Sequence, residues 1–390
     1  MSGHVRVSGE WKDLSALYAR VSGEWKELTE GWARVSGEWQ KIWEKMAGLY
    51  LLSWGRNNYG QLGDGTCTDR NSPTLIGSCT WKAVSAGHYH SLGIRADDCL
   101  LAWGRNAYGQ LGDGTCTDRN SPTLIGSCTW KTLAAGYSHS LGIRADDRLL
   151  TWGLNSNGQL GDGTYDTRTS PTLIGSCTWK AVSGGYFHSL GIRSDGCLLS
   201  WGWNGYGQIG DNTTTDRTSP TLIGSCTWKS IAAGYYHSLG IRGDDRLLAW
   251  GYNAYGQLGN GTTSSKNIPT LIGSCTWKAI AGGFYHSLGI RADDKLFAWG
   301  DNTYGQLGDG TTARSKDPKE IGSCTWKAIA AGVYHSIGIR ADDRLLAWGA
   351  NSYGQLGDGT TENRTSPTLI GTSTWKSISA GASHSLGLKG

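Results

Sequence analysis

Short runs of apolar and small residues recur along most of the chain at one interval, separated by polar, glycine-rich stretches. One such unit reads "HSLGIRADD" (His90–Asp98), "LLAWG" (Leu100–Gly104), "SPTLIG" (Ser121–Gly126) and "WKTLAAG" (Trp130–Gly136). These runs alternate or are short and continuous, and none keeps a helical period, so each is expected to be a strand. Pro at the start of "SPTLIG" suits a first or edge position. The Asp-Asp pair, replaced by Asp195-Gly196 in one copy, marks a tight hairpin. The pattern therefore predicts four short strands per unit.

The unit is 49 residues long and occurs seven times without insertion. Its Trp-Gly pairs begin at Trp54, Trp103, Trp152, Trp201, Trp250, Trp299 and Trp348, and all seven prolines keep the same step. Four-stranded sheets repeated at such a period read as the blades of a β-propeller. Counting back from Gly390 starts the array at Gly48, so "GLYLLSW" (Gly48–Trp54) supplies what the last copy lacks after "LGLKG". The strand at 49–54 is thus expected to complete the last blade, close the circle and remove an unpaired edge. The glycines of "SWGRNNYGQLGDGT" (Ser53–Thr66) are read as corners. Where six copies have the last Gly of "GDG", the fourth has Asn212, the residue next most tolerant of positive φ.

Composition agrees with a folded, all-β chain. Of 390 residues 60 are Gly, but 20 Trp and 17 Tyr can build a core. The net charge of +4 is spread along the chain, which argues against a dedicated nucleic-acid surface. No run of 18 apolar residues is present, and the start lacks a basic segment followed by an apolar one, so neither membrane insertion nor a secretory signal is expected. Six of the ten cysteines occupy one repeat position, from Cys79 to Cys324, where the seventh copy has Ser373. A site that accepts Ser is expected to be small and partly buried, and a step of 49 fits no zinc pattern.

The combination "WGxNxxGQLGDGT", Pro, "WKxxxAGxxHSLGI" resembles the regulator-of-chromosome-condensation repeat, over Gly48–Gly390. The resemblance implies a seven-bladed propeller closed by a strand from the far terminus. The founding member of that family is a nucleotide-exchange factor for a small GTPase that relies on an inserted wedge. Repeats of equal length leave no room for a wedge here.

Seven histidines, His90 to His384, recur before Ser. They could line a channel or hold a metal. A repeated polar group in a packed blade more simply bridges neighbouring strands, and a metal needs three or four convergent ligands. The Asn series from Asn57 and the Gln series from Gln61 are expected to bond backbone groups. No Ser-His-Asp or Cys-His set departs from the seven-fold background, so no catalytic residue, metal or cofactor is expected.

Variable positions are more informative. The residue after Trp-Gly is Arg56, Arg105, Leu154, Trp203, Tyr252, Asp301 or Ala350, and the pair before each repeated His is rich in aromatics. These aromatics either pack between blades or form a contact surface for sugars or protein loops. Trp203, Tyr137, Tyr186, Phe187, Tyr235 and Phe284 are the candidate partner-binding residues.

Residues 1–47 differ. "VRVSGEWKDLSALY", "ARVSGEWKELTEGW" and "ARVSGEWQKIWEKM" repeat every 14 residues, each read as a small hairpin around Ser-Gly. Their tryptophans (Trp11, Trp25, Trp32, Trp39 and Trp43) need burial, so this arm is expected to anchor or oligomerise the chain. Such Trp-Lys units resemble those of structural proteins of tailed bacteriophages. The combined expectation is an all-β protein: an arm of three β-hairpin repeats (1–47), and a closed seven-bladed β-propeller of four-stranded blades (48–390). The function expected is a non-enzymatic virion component, tail- or fibre-associated and assembled in the host cytoplasm. Its partners would be other virion proteins through the arm and host-surface glycan or protein through the propeller. The alternatives are a cellular interaction scaffold or exchange-factor-like protein, and a bacterial surface lectin.

Overall fold

The computed structural model describes residues 48–390 throughout and, within 1–47, the backbone of six strands. The chain divides into two units, Met1–Gly48 and Leu49–Gly390. In the first, His4–Val7 pairs with Glu10–Asp13, Tyr18–Val21 with Glu24–Glu27, and Glu30–Val35 with Glu38–Glu44, all antiparallel. The side chains of Trp11, Trp25, Trp32, Trp39 and Trp43, with the anchoring role expected of them, lie outside the described residues.

The second unit is a closed seven-bladed propeller. Each repeat holds three strands where four were expected, because "SPTLIG" and "WKAVSAG" run together in one 17-residue strand, Arg70–Ala86 in the first copy. Its first part pairs with Leu49–Gly55 and its second with His90–Arg95, with a register shift at each junction. Gly77, at φ +60°, turns the strand between the two. One strand therefore serves two neighbouring blades, outermost in one and innermost in the next, and every blade still counts four strands. Glycine reads as a stop in sequence, but here its positive φ redirects a strand without ending its pairing.

Closure occurs in the expected register. Gly55 pairs with His384, Trp54 with Ser385, Ser53 with Leu386 and Leu51 with Leu388. Leu51, Leu386 and Leu388 are fully buried together, in a cluster with Ile76 and Trp81. Every blade carries a pair of tryptophans packed edge to face, as the aromatic quadrupole favours. The pair of the closing blade, Trp54 and Trp375, has ring centres 5.6 Å apart, and Trp81 and Trp103 in the next blade are 5.7 Å apart.

The Trp of each pair that precedes Lys also fixes a glycine in "HSLGI". A Cβ built on Gly142 would lie 2.5 Å from the Trp130 ring, whereas one on Gly126, at φ +61°, meets nothing within 4 Å. Gly142→Ala is expected to lower the unfolding free energy in urea by about 3 kcal/mol through overpacking. Gly126→Ala should lose about 1 kcal/mol from backbone strain alone. Equal losses would contradict this packing.

The six repeated cysteines, expected to be partly buried, are exposed: Cys79, Cys128, Cys177, Cys226, Cys275 and Cys324. They sit just past the bend of the long strand, where the chain runs over the surface between blades. No disulfide forms among the described residues.

Candidate functional site

The repeated polar residues bond within the framework. In the first copy Asn57 Nδ2 donates to Asp64 Oδ1 and to the carbonyls of Thr66 and Thr68, while Asn57 Oδ1 accepts from the Leu62 amide. Arg70 then pairs with Asp64 at 2.7 Å. The "WGxNxxGQLGDGT" segment is thus a loop tied by its own side chains. The Gln61 carbonyl accepts from Trp103 Nε1 and Ser91 Oγ, so the same loop also ties one blade to the next.

The repeated histidines are fully buried, and each Nε2 lies 2.8–3.1 Å from the Ser Oγ of the next blade. His384 to Ser91 completes the circle. Each of these Ser hydroxyls donates its one proton to a Gln carbonyl, as Ser91 does to Gln61. The imidazole must therefore donate through Nε2–H, which leaves Nδ1 bare and without a partner. Burial depresses the pKa of all seven to about 3. The pairs resemble Ser-His dyads in composition, but they are sealed from solvent and the hydroxyl proton points away from the imidazole. Among the described residues no three His, Cys, Asp or Glu converge as a metal site.

The variable positions come together on one face. The pair before the repeated His and the loop after Trp-Gly are in contact there, so both sets of loops lie on the same side. An inner arc runs from His88 to Tyr137, Tyr186, Tyr235 and Phe284, with successive ring centres 4.1–5.1 Å apart. Outside it, Phe187 packs on Tyr186, Tyr236 on Trp203, and Tyr285 on Tyr255. Trp203 is half-buried against Tyr206 and Tyr236, so it belongs to the aromatic field instead of standing alone. All six candidate residues lie in this field. The alternatives of packing and exposure both hold: the rings are half-buried between adjacent blades and present their remaining surface on the face.

Two features of this face were missed from sequence. His88 Nδ1 shares a hydrogen bond with the hydroxyl of Tyr235, three repeats away across the central channel. The pair lies over a cavity of about 220 Å³ lined by small residues such as Ala135, Ser183, Ala281 and Ala380. Burial, with Arg56 and Arg105 adding positive charge nearby, lowers the pKa of His88 to about 3. Arg56 and Arg105 both lie against Tyr89, with guanidinium carbons 5.4 and 5.9 Å from its ring centre. The signal was present in sequence as two successive arginines at the variable position after Trp-Gly.

The RCC1-like domain family matches residues 178–387, and the regulator of chromosome condensation (RCC1) repeat matches 50–94, 97–143 and 146–192. Human WBSCR16 has a similar structure, with 20% identity over 87% of this chain and 98% of its own, and a TM-score of 0.79. Yeast RCC1 (Prp20), crystallised bound to Kap60, shares 19% identity over 88% of this chain and 89% of its own, at a TM-score of 0.80. No match occurs among curated proteins.

Proposed function

The chain belongs to the RCC1-like domain family, and on that premise we propose that it is a non-enzymatic interaction scaffold whose aromatic face binds protein. One observation carries this reading. The variable residues before each repeated His and after each Trp-Gly gather on a single face, where many are Tyr, Phe or Trp packed ring to ring, while the repeated polar residues are bonded internally. Tyr and Trp give large, stiff contact area with a polar edge, the composition favoured at protein interfaces. That yeast Prp20 was crystallised bound to a protein, Kap60, supports protein contact as the class of function. The virion reading has no support in the family match or the structural neighbours. The cellular scaffold, its alternative, is the reading we adopt.

The test compares the tagged full chain with a Trp203→Ser/Tyr236→Ser variant in lysate of the native cell. The wild type should enrich a defined set of proteins that the variant loses, with the thermal unfolding of both kept alike. Identical enrichment by both would contradict the assignment of the face.

A further inference from the structure

We propose that Arg56 and Arg105 form an oxyanion-binding site for an acidic peptide segment of a protein partner, whose apolar side chains lie on the adjoining tyrosines. This rests on the reading of the aromatic face as a protein-contact surface and names the chemistry of what it takes.

The arginines of this propeller are otherwise engaged. Thirteen of the seventeen in residues 48–390 lie within 4 Å of a carboxylate, as Arg70 does with Asp64 and Arg314 with the buried Asp301. Arg148 and Arg344 donate to the carbonyls of Ser176 and Thr372. Among the described residues, only Arg56 and Arg105 have side chains with neither kind of partner. Each is held by aromatic faces instead: Arg56 over Tyr89 and Tyr353, Arg105 over Tyr59, Tyr89 and Tyr108.

Stacking fixes the plane of a guanidinium and leaves its N–H groups at the edge free to donate. Two such forks adjoin one tyrosine on a partly desolvated face, where the clustered carboxylates or phosphates of one segment can accept from them. No carboxylate of the described residues lies within ion-pair distance to compete, and His88, packed on the same Tyr89, stays uncharged at neutral pH. The site is confined to two blades. The other five copies carry Leu154, Trp203, Tyr252, Asp301 and Ala350 at the same position, so the cationic end adjoins an aromatic field without further arginines of this kind. A peptide that reads both ends would carry clustered acidic residues beside an aromatic one.

The probe is a fluorescein-labelled peptide Glu-Glu-Phe-Glu-Glu, titrated against the full chain by anisotropy at low and high salt. Its Gln-Gln-Phe-Gln-Gln counterpart and a pSer-Phe-pSer peptide are titrated alongside. Binding of the carboxylate or the phosphate peptide, weakened by salt, is expected, and whichever binds identifies the source of the oxyanion. Arg56→Ala or Arg105→Ala should each weaken it about tenfold, and the double variant about a hundredfold, as charged hydrogen bonds do. Folding should be unaffected, because the seventh blade already carries Ala350 there. Failure of both acidic peptides to bind, or binding unchanged in the double variant, would overturn the proposal. Equal binding of the Gln peptide, lost in Tyr236→Ser, would overturn it while leaving the aromatic contact surface standing.

Discussion

Lowering the pH from 7 to about 5 is expected to unfold the propeller. The seven repeated histidines are neutral in the folded state, with pKa values held near 3, while the unfolded chain titrates near 6.5. Below pH 6.5 the unfolded state therefore binds more protons than the folded state, so stability is full above that pH and falls as pH drops toward 3. At pH 5 each histidine costs about 2 kcal/mol, and seven together about 14 kcal/mol, enough to cancel the stability of an ordinary domain. The Asp64-type carboxylates also have depressed values, but their contribution is lost only below their ordinary pKa of 3.8. Urea unfolding across pH 7.5 to 4.5 should show a steep, cooperative loss with several protons taken up per chain. A flat profile over that range would mean that the imidazoles are solvated or already charged.

Ending the chain at Gly381 should abolish folding. The cut removes His384, Leu386 and Leu388, all fully buried, and uncovers Leu51 and Trp54 on the strand they cover. Two buried Leu side chains contribute about 3–6 kcal/mol, and the uncovered pair loses a similar amount. A total near 10 kcal/mol exhausts the stability of most domains, and the open edge left behind invites aggregation. Insoluble or molten protein is expected by near-UV circular dichroism and size exclusion. A permutant separates closure from simple loss of residues. It joins Lys389 to Tyr50 through Ala-Asp-Asp, as Arg95 is joined to Cys99, and opens the chain at the exposed Asp97–Asp98 turn. This permutant should unfold cooperatively. A soluble, cooperatively folded truncation would show that the strand is dispensable.

Much of this architecture was legible because each of seven copies repeats the same physical instruction. The step of 49 residues and the position of Gly48 relative to Gly390 define the circle and its closing strand with no knowledge of contacts. The buried histidines were legible as bridges, since a polar residue repeated in a packed sheet must find a partner. The long strand was not, because Gly77 looks like a terminator until its φ shows that it bends a continuous ladder. The exposure of Cys79 was misjudged for the same reason: its place beyond the bend follows from that geometry. The contact face was half legible. Its residues could be collected as the variable ones, including Trp203 and Tyr235. That Tyr235 reaches His88 depends on the curvature of the whole circle, and no local pattern encodes it. Arg56 and Arg105 are visible as letters, but their lack of carboxylate or carbonyl partners among the described residues is set by the folded surroundings and not by local sequence.

Amide hydrogen exchange at the closing blade tests the central claim most directly. If the N-terminal strand shuts the circle, peptides covering 49–55 and 384–389 should exchange as slowly as the matching strands 148–153 and 139–144 of an internal blade. Rapid exchange confined to 49–55 and 384–389, with the internal blades still protected, would contradict it.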